Sequence, residues 1–422
     1  MCHRSMLRQP PGPRERVSFL LAAFHRALAL LGLAVMLVIP PRLASASSEV
    51  QGEVAGYTSP GGVAERCVAV RHFPGGDYSE EDRRREAALC EIYFHGDRHA
   101  LCPKVFSTSP GTLVYELTGG DWERRRSEFE RTVCGAGGLR KSGTRGEPVS
   151  FKMSVNGKTT SATFANASLI YYHFSRYLGG SIHVPVAVLR TMDREQHAER
   201  VSVRGLALSG QSAALRMNHA AWQTLLAAER QPSVYEPRSE LFTPDGQVYG
   251  VLLPPVGKRY SEEFTGPRVS GWGDGQSRDF QETAPFRAMR SDKPLAAAIE
   301  DGRRAAMADP RLAKATGADA TPAPMGDWMG DLGDSTPLDF ILSQQDRIGT
   351  IDYVVTWPWV ADGTLRTRTA EGRTPPADIA AFHPVLLKRT ELGDNDAGVR
   401  LSYANYTKRT GMLEKLRHYR AG

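Results

Sequence analysis

SQQDRIGTIDY, residues 343–353, sets a carboxylate and a guanidinium side by side between the apolar turn LDFIL (338–342) and the apolar run VVTWPWV (354–360). Upstream, Thr336, Pro337 and Asp339 carry a helix-start pattern: a hydroxyl cap, Pro at the first helical position, and a carboxylate three residues after the cap. Downstream, IDYVVTWPWVADGTLRTRT reads as a hairpin turning at Asp362-Gly363. The pair Asp346-Arg347 is thus expected in a loop where a helix hands over to a strand. Further on, HPVLLKRTEL (383–392) enters the acidic turn GDNDAG (393–398), and YTKRTGMLEKLRHYR (406–420) has an amphipathic helical pattern.

Working back toward the N-terminus, residues 259–334 are rich in Gly, Ala, Asp and Pro and read as surface excursions, with one short helix around PLAAAIEDGRRAAM. SIHVPVAVLRTMD (181–193) reads as a strand, almost all apolar from Ile182 to Leu189. Asn166 is placed to cap a helix ASLIYYHFSRYL, whose apolar face is Leu169, Ile170, Tyr172, Phe174 and Tyr177, with Gly179 and Gly180 as stop residues. VSFKMSV (149–155) alternates with period two and follows the glycine-rich basic loop GAGGLRKSGTRGEP (135–148). GDYSEEDRRREAALCEIYF (76–94) predicts a helix entering a strand. HGDRH (95–99) would align His95, Asp97 and His99 on one strand face as a metal triad, against the plainer expectation of two surface histidines beside a carboxylate.

Residues 1–46 have the pattern of a cleaved export signal: a basic stretch ending at Arg26, an apolar run from Ala27 to Ile39, and small residues Ala44 and Ala46 before Ser47. The apolar run is short for a bilayer span, so no transmembrane anchor is expected after cleavage. This segment holds six Arg against one Glu, a net charge of +5 out of the chain's net +6. The remainder is near neutral, which gives no reason to expect nucleic acid as a partner. After the signal, Cys67, Cys90, Cys102 and Cys134 are left, an even set that suggests two disulfides with three possible pairings in an exported, periplasmic or secreted protein. Zinc is the rival for these thiols, but no CxxC pair is present.

Three separated pieces then fit one chemistry. Lys152 sits on a strand after a glycine-rich loop, Asp346-Arg347 in a helix-to-strand loop, and Asp394, Asn395, Asp396 and Gly398 in an acidic turn. Phosphoryl transfer needs a cation against the non-transferring phosphates, a carboxylate to orient the attacking hydroxyl, and acidic ligands for Mg²⁺. GxSxG, HExxH and Walker signatures are missing from the sequence.

LDFILSQQDRIGTIDY with GDNDAG downstream resembles the atypical branch of the protein-kinase-like superfamily, which includes phosphatidylinositol kinases, HipA-type kinases and secreted Golgi casein-kinase-type enzymes. FKM (151–153) and RYLGGSIHVPVAV (176–188) look similar to the strand Lys and the Leu-Gly helix end of the secreted branch. The resemblance covers residues 149–190 and 336–420. It implies an α+β, two-lobed kinase-like fold with a disulfide-bearing N-terminal extension. Its parts would be a signal peptide (1–46), a cysteine-containing region (47–134), an N-lobe (135–255) and a C-lobe with insertions (256–422). It further implies ATP with Mg²⁺ or Mn²⁺ as cofactors, a nucleotide partner, and a hydroxyl-bearing acceptor that is protein, lipid or sugar. Asp346 would be the catalytic carboxylate with Arg347 its neighbour, Lys152 the nucleotide-phosphate contact, and Asp394 the chief metal ligand with Asp396 its rival. Ile348 and Ile351 stand where the family carries His and the second metal ligand, so that only a one-residue shift lets Asp352 serve. Ser168 stands near the place of the helix Glu that pairs the strand Lys. These departures leave a second expectation, a catalytically inactive kinase-like binding module.

Overall fold

A computed structural model describes residues 51–136, 143–161, 163–179, 182–210, 216–316 and 321–419. The expected export segment, Gly180 and part of the 135–148 loop lie outside them. Gln51 onward forms one compact unit. Seven strands, β1 (Gly52–Thr58), β2 (Ala64–Val70), β3 (His99–Pro103), β4 (Thr112–Glu116), β5 (Val149–Met153), β6 (Val188–Met192) and β7 (Val248–Leu253), make an antiparallel sheet. Its order is β1-β2-β6-β7-β5-β4-β3. Strands from both sides of the expected boundary at 134–135 therefore share one sheet. The period-two reading of β5 holds: Phe151 and Met153 are buried, and Lys152 projects to the other face.

The cysteines form two disulfides, Cys67–Cys90 and Cys102–Cys134, which settles the pairing and removes the zinc alternative. Cys90 ends helix α1 (Glu80–Cys90), whose start is a capping box between Ser79 and Asp82. The strand expected directly after it does not form; the chain turns and resumes at β3. His95 and His99 belong to no common triad. His95 Nε2 lies 2.7 Å from Glu65 Oε1, and His99 Nε2 lies 3.0 Å from Glu116 Oε2.

Helix α2 (Asn166–Tyr177) begins one residue earlier than expected, so Asn166 is its first residue and caps nothing. Gly179, at φ +65°, stops it as anticipated. Its buried face is rotated: Tyr171 is fully buried whereas Tyr177 is exposed, because the Tyr171 hydroxyl finds an acceptor across the core at Asp339. The following strand is β6, later than the apolar run predicted; Ile182 and residues 184–187 are buried outside any strand, with an isolated bridge from His183 to Glu391. Helix α3 (Arg216–Arg230) packs Trp222 against Gly205, where a Cβ would come within 2.5 Å of the indole.

The stretch read as surface excursions is mostly helical core. It contains α4 (Asp274–Gln281), α5 (Leu295–Met307) and α6 (Ala323–Ile341), with shorter helices between. Met325, Trp328, Met329 and Leu332 are buried at helical spacing. The glycines and alanines that suggested loops are there because helices approach closely: a Cβ on Gly302 would meet Ala288 Cβ at 2.8 Å. Thr336-Pro337 does not start a helix. Pro337 lies inside α6, and the Thr336 hydroxyl turns back to the Leu332 carbonyl at 2.8 Å.

A second, antiparallel sheet holds β8 (Lys258–Arg259), β9 (Asp352–Ala361), β10 (Thr364–Thr369) and β11 (Leu387–Glu391), in order β10-β9-β11 with β8 pairing β9. The β9–β10 turn is Asp362-Gly363 as expected, both at positive φ. The C-terminal helix is only Tyr406–Arg409; Gly411 at φ +61° ends it, and a 3₁₀ turn follows at Leu413–Lys415. No helix among the described residues is long and apolar enough to cross a membrane.

Candidate functional site

Two turns meet behind β5. The first, residues 342–350, leaves α6 and carries Asp346 and Arg347. The second, residues 393–399, leaves β11 and carries the acidic group. Backbone bonds hold the second in place: Phe164 N donates to Asp396 O at 2.6 Å, Gln345 N to Ala397 O at 3.1 Å, and Val399 N to Leu342 O at 2.6 Å. Gly398 is needed for space rather than for its φ, since a Cβ there would sit 3.0 Å from Tyr171 Cε2 and 3.1 Å from the Leu342 carbonyl. The left-handed residue is its neighbour Val399, at φ +65°.

Arg347 faces inward. Its Nε and Nη2 donate to both Asp339 oxygens at 2.8 and 2.9 Å, Nη2 also to Asn395 Oδ1 at 2.8 Å, and Nη1 to the Asp394 carbonyl at 3.2 Å. The guanidinium thereby ties α6 to both turns. It stiffens the site and stays out of the cavity.

Asp346, Asp394 and Asp396 line one small polar cavity of about 50 Å³ with Thr108, Ser109 and Ser161. Lys152 enters from β5, its Nζ 2.8 Å from Asp394 Oδ1 and 3.4 Å from Asp396 Oδ2. Burial alone would lower its pKa, but the two carboxylates outweigh that and hold the ammonium above its usual range. Burial would raise Asp394; Lys152, Lys104 and Arg259 together hold it far below the usual carboxylate range. Asp396 is raised by burial, with Lys152 opposing and Asp394 adding to the shift. Asp346 is pushed up to about 6, first by burial, while the Trp272 indole N–H, 3.4 Å from Oδ1, works against the rise.

Asp352 is reached from the sheet. It opens β9, opposite Arg259 of β8 and Glu391 of β11. Arg259 Nε donates to Asp352 Oδ1 at 3.0 Å and Arg259 Nη2 to Asp394 Oδ2 at 3.2 Å. The expected residues Lys152, Asp346, Asp394, Asp396 and Asp352 are thus brought to one region, with Asp352 joined through Arg259.

Sequence reading missed Lys104 and Arg259. Lys104, just past β3, has its pKa lowered by burial and by Lys152 while Asp394 and Asp396 pull the other way. Neither had a local signal: Lys104 follows Pro103 at a strand end, and Arg259 sits in the short Gly257-Lys258-Arg259 run with no motif around it. At the place expected for a Lys-pairing Glu, Ser168 is buried with no partner for its hydroxyl, and Lys152 pairs the acidic turn directly. Among the described residues no three His, Cys, Asp or Glu side chains are placed to hold a metal ion by themselves. Mg²⁺ bound against phosphate asks for fewer, one or two carboxylates with the substrate oxygens completing its shell. Asp394 and Asp396 can supply that number.

Comparison with protein-family models, curated proteins and solved structures finds no match.

Proposed function

We propose that the protein is an exported phosphotransferase of two-lobed, kinase-like fold, moving a phosphoryl group from ATP to a hydroxyl acceptor with Mg²⁺ or Mn²⁺. The observation that carries this is the convergence of Lys152, from the seven-stranded sheet, with Asp346, Asp394 and Asp396, from turns more than 190 residues later. Such a set has the charges phosphoryl transfer uses. Asp346, raised toward neutrality, suits a group that orients an alcohol and accepts its proton. Lys152 and Lys104 would neutralise non-transferring phosphate oxygens. A divalent ion on Asp394 and Asp396 would offset charge on the transferring group when bound. The cavity has room for only a few waters, so the purine and ribose would lie outside it. The two disulfides support an oxidising compartment.

A second reading is favoured by one observation: both acidic side chains of the turn are engaged by Lys152, as suits a kinase-like binding module without turnover. Thermal unfolding separates the two. With ATP and Mg²⁺ at about 100 times the dissociation constant, the protein gains ~2.7 kcal/mol of stability. Asp394→Ala abolishes that gain, whereas Asp346→Ala keeps it and loses phosphotransfer to a mixed hydroxyl-acceptor panel. Nucleotide-dependent stabilisation with no transfer by the wild type selects the binding module. No stabilisation by nucleotide removes the phosphotransferase reading and leaves the binding module.

A further inference from the structure

Arg259 grips two carboxylates from different elements with one guanidinium, Nε on Asp352 and Nη2 on Asp394. Both distances, 3.0 and 3.2 Å, lie within hydrogen-bond range between opposite charges. Its position is built by sheet register: β8 is a two-residue strand whose second residue stands directly opposite Asp352. The other Asp352 oxygen, Oδ2, is buried without a hydrogen-bond partner, and a Cβ on Gly393 would lie 3.3 Å from it. Asp352 is therefore a buried carboxylate with one oxygen satisfied by Arg259 and the other unsatisfied beside the acidic turn. That is half of a ligand set for a second cation, with a guanidinium occupying the rest. Nearly half of the Arg259 side chain is exposed, so its displacement needs no unfolding of the sheet.

We propose that Arg259 is the built-in second cation of this site, so that the protein takes a single divalent ion, at Asp394 and Asp396, and admits a further one only when the guanidinium is removed. The inference rests on the phosphotransferase reading for its purpose but not for its test. Two-ion phosphoryl-transfer sites place two cations against the phosphate oxygens. Here an arginine held by the would-be ligands supplies one of those charges without a metal, and its outward edge is left to meet phosphate.

The test is Mn²⁺ binding to the full chain without nucleotide, followed by calorimetry and by the loss of free-Mn²⁺ paramagnetic signal. In Arg259→Gln the freed carboxylates of Asp352 and Asp394 should take up a second Mn²⁺ that wild type does not bind, raising overall Mn²⁺ binding by roughly tenfold or more, since a unit positive charge beside them is gone. Arg259→Lys, which keeps the charge, should stay within about threefold of wild type on the same electrostatic ground. The gain should disappear in Arg259→Gln/Asp352→Asn. Unchanged or weaker Mn²⁺ binding in Arg259→Gln, with a far-ultraviolet dichroism spectrum like wild type, overturns the proposal. So does a gain that survives Asp352→Asn. Should Arg259→Gln fail to fold, Asp352→Asn alone decides: in an otherwise intact protein it frees Arg259 to engage Asp394 alone and should weaken Mn²⁺ binding, and stronger binding contradicts the assignment. None of these readouts involves phosphotransfer, so failure of the kinase reading and failure of this one are seen separately.

Discussion

Asp346 is raised to about 6 by burial, with Asp394 and Asp396 adding to the shift and Trp272 and Arg259 opposing it. The folded chain therefore favours its neutral form. The stability this contributes is complete below the ordinary carboxylate pKa near 3.8 and is lost as pH rises through about 6. At pH 7.5 the ionised side chain burdens the fold. Asp346→Asn should accordingly stabilise the protein at that pH by on the order of 1–3 kcal/mol, with the gain fading below about pH 4. Urea unfolding at the two pH values measures it. A residue that weakens the fold at neutral pH is of the kind expected where chemistry is done. Asp394 has the opposite balance: three cations keep it ionised throughout, as a ligand or counter-charge requires.

At the scale of elements, the acidic turn is clamped between α2 and the end of α6, and a Cβ on Gly398 would press on both, at Tyr171 and at the Leu342 carbonyl. Gly398→Ala should cost about 1–3 kcal/mol by forcing Tyr171 and the Leu342 carbonyl apart. It should also slacken the Tyr171–Asp339–Arg347 chain of hydrogen bonds, visible as faster amide hydrogen exchange over residues 342–350. These elements differ in how far their sequences announce them. The β9–β10 hairpin was legible because Asp362-Gly363 is turn chemistry that needs no tertiary help. Strand β5 was legible because its alternation is buried on one side only. Helix α6 was not: Gly326, Gly330 and Gly333 and an internal proline lower its local propensity, and burial of Trp328, Met329 and Leu332 overrides that. The apparent cap at Thr336 misled for a related reason, because its hydroxyl bonds back along a helix already under way. At the C-terminus the periodicity was genuine, but Gly411 interrupts it.

For the molecule as a whole, the candidate site depends on residues from the segment just after β3, from β5, and from the 342–350 and 393–399 turns, and it forms only when the large sheet and the helical part fold together. Its carboxylates could be nominated from sequence because acidic turns and Asp-Arg loops are local patterns. Lys104 and Arg259 could not: Arg259 meets Asp394 across 135 residues of chain, and Lys104 feels Asp394 and Asp396 only once the chain has folded, so neither contact leaves a trace in its own neighbourhood. The disulfides act on the same sheet: Cys67 lies in β2, and its bond to Cys90 closes a separation of 23 residues. The double variant Cys67→Ala/Cys90→Ala should lose about 2–4 kcal/mol in guanidinium unfolding while keeping the Lys152–Asp394 arrangement, since neither cysteine borders it.

Strand β10 lies at the rim of the smaller sheet, and every one of its residues is exposed. A bare rim of this kind is a template on which another chain can add a strand. TLRTRT answers with two arginines, and Arg368 is locked to Asp378 through both terminal nitrogens at 3.0 and 2.8 Å. A neighbouring molecule would have to strip water from these charges before it could zip onto the rim. The hairpin that lies between Asp346 and Asp394 in the chain thus bears its own safeguard against clumping at high concentration.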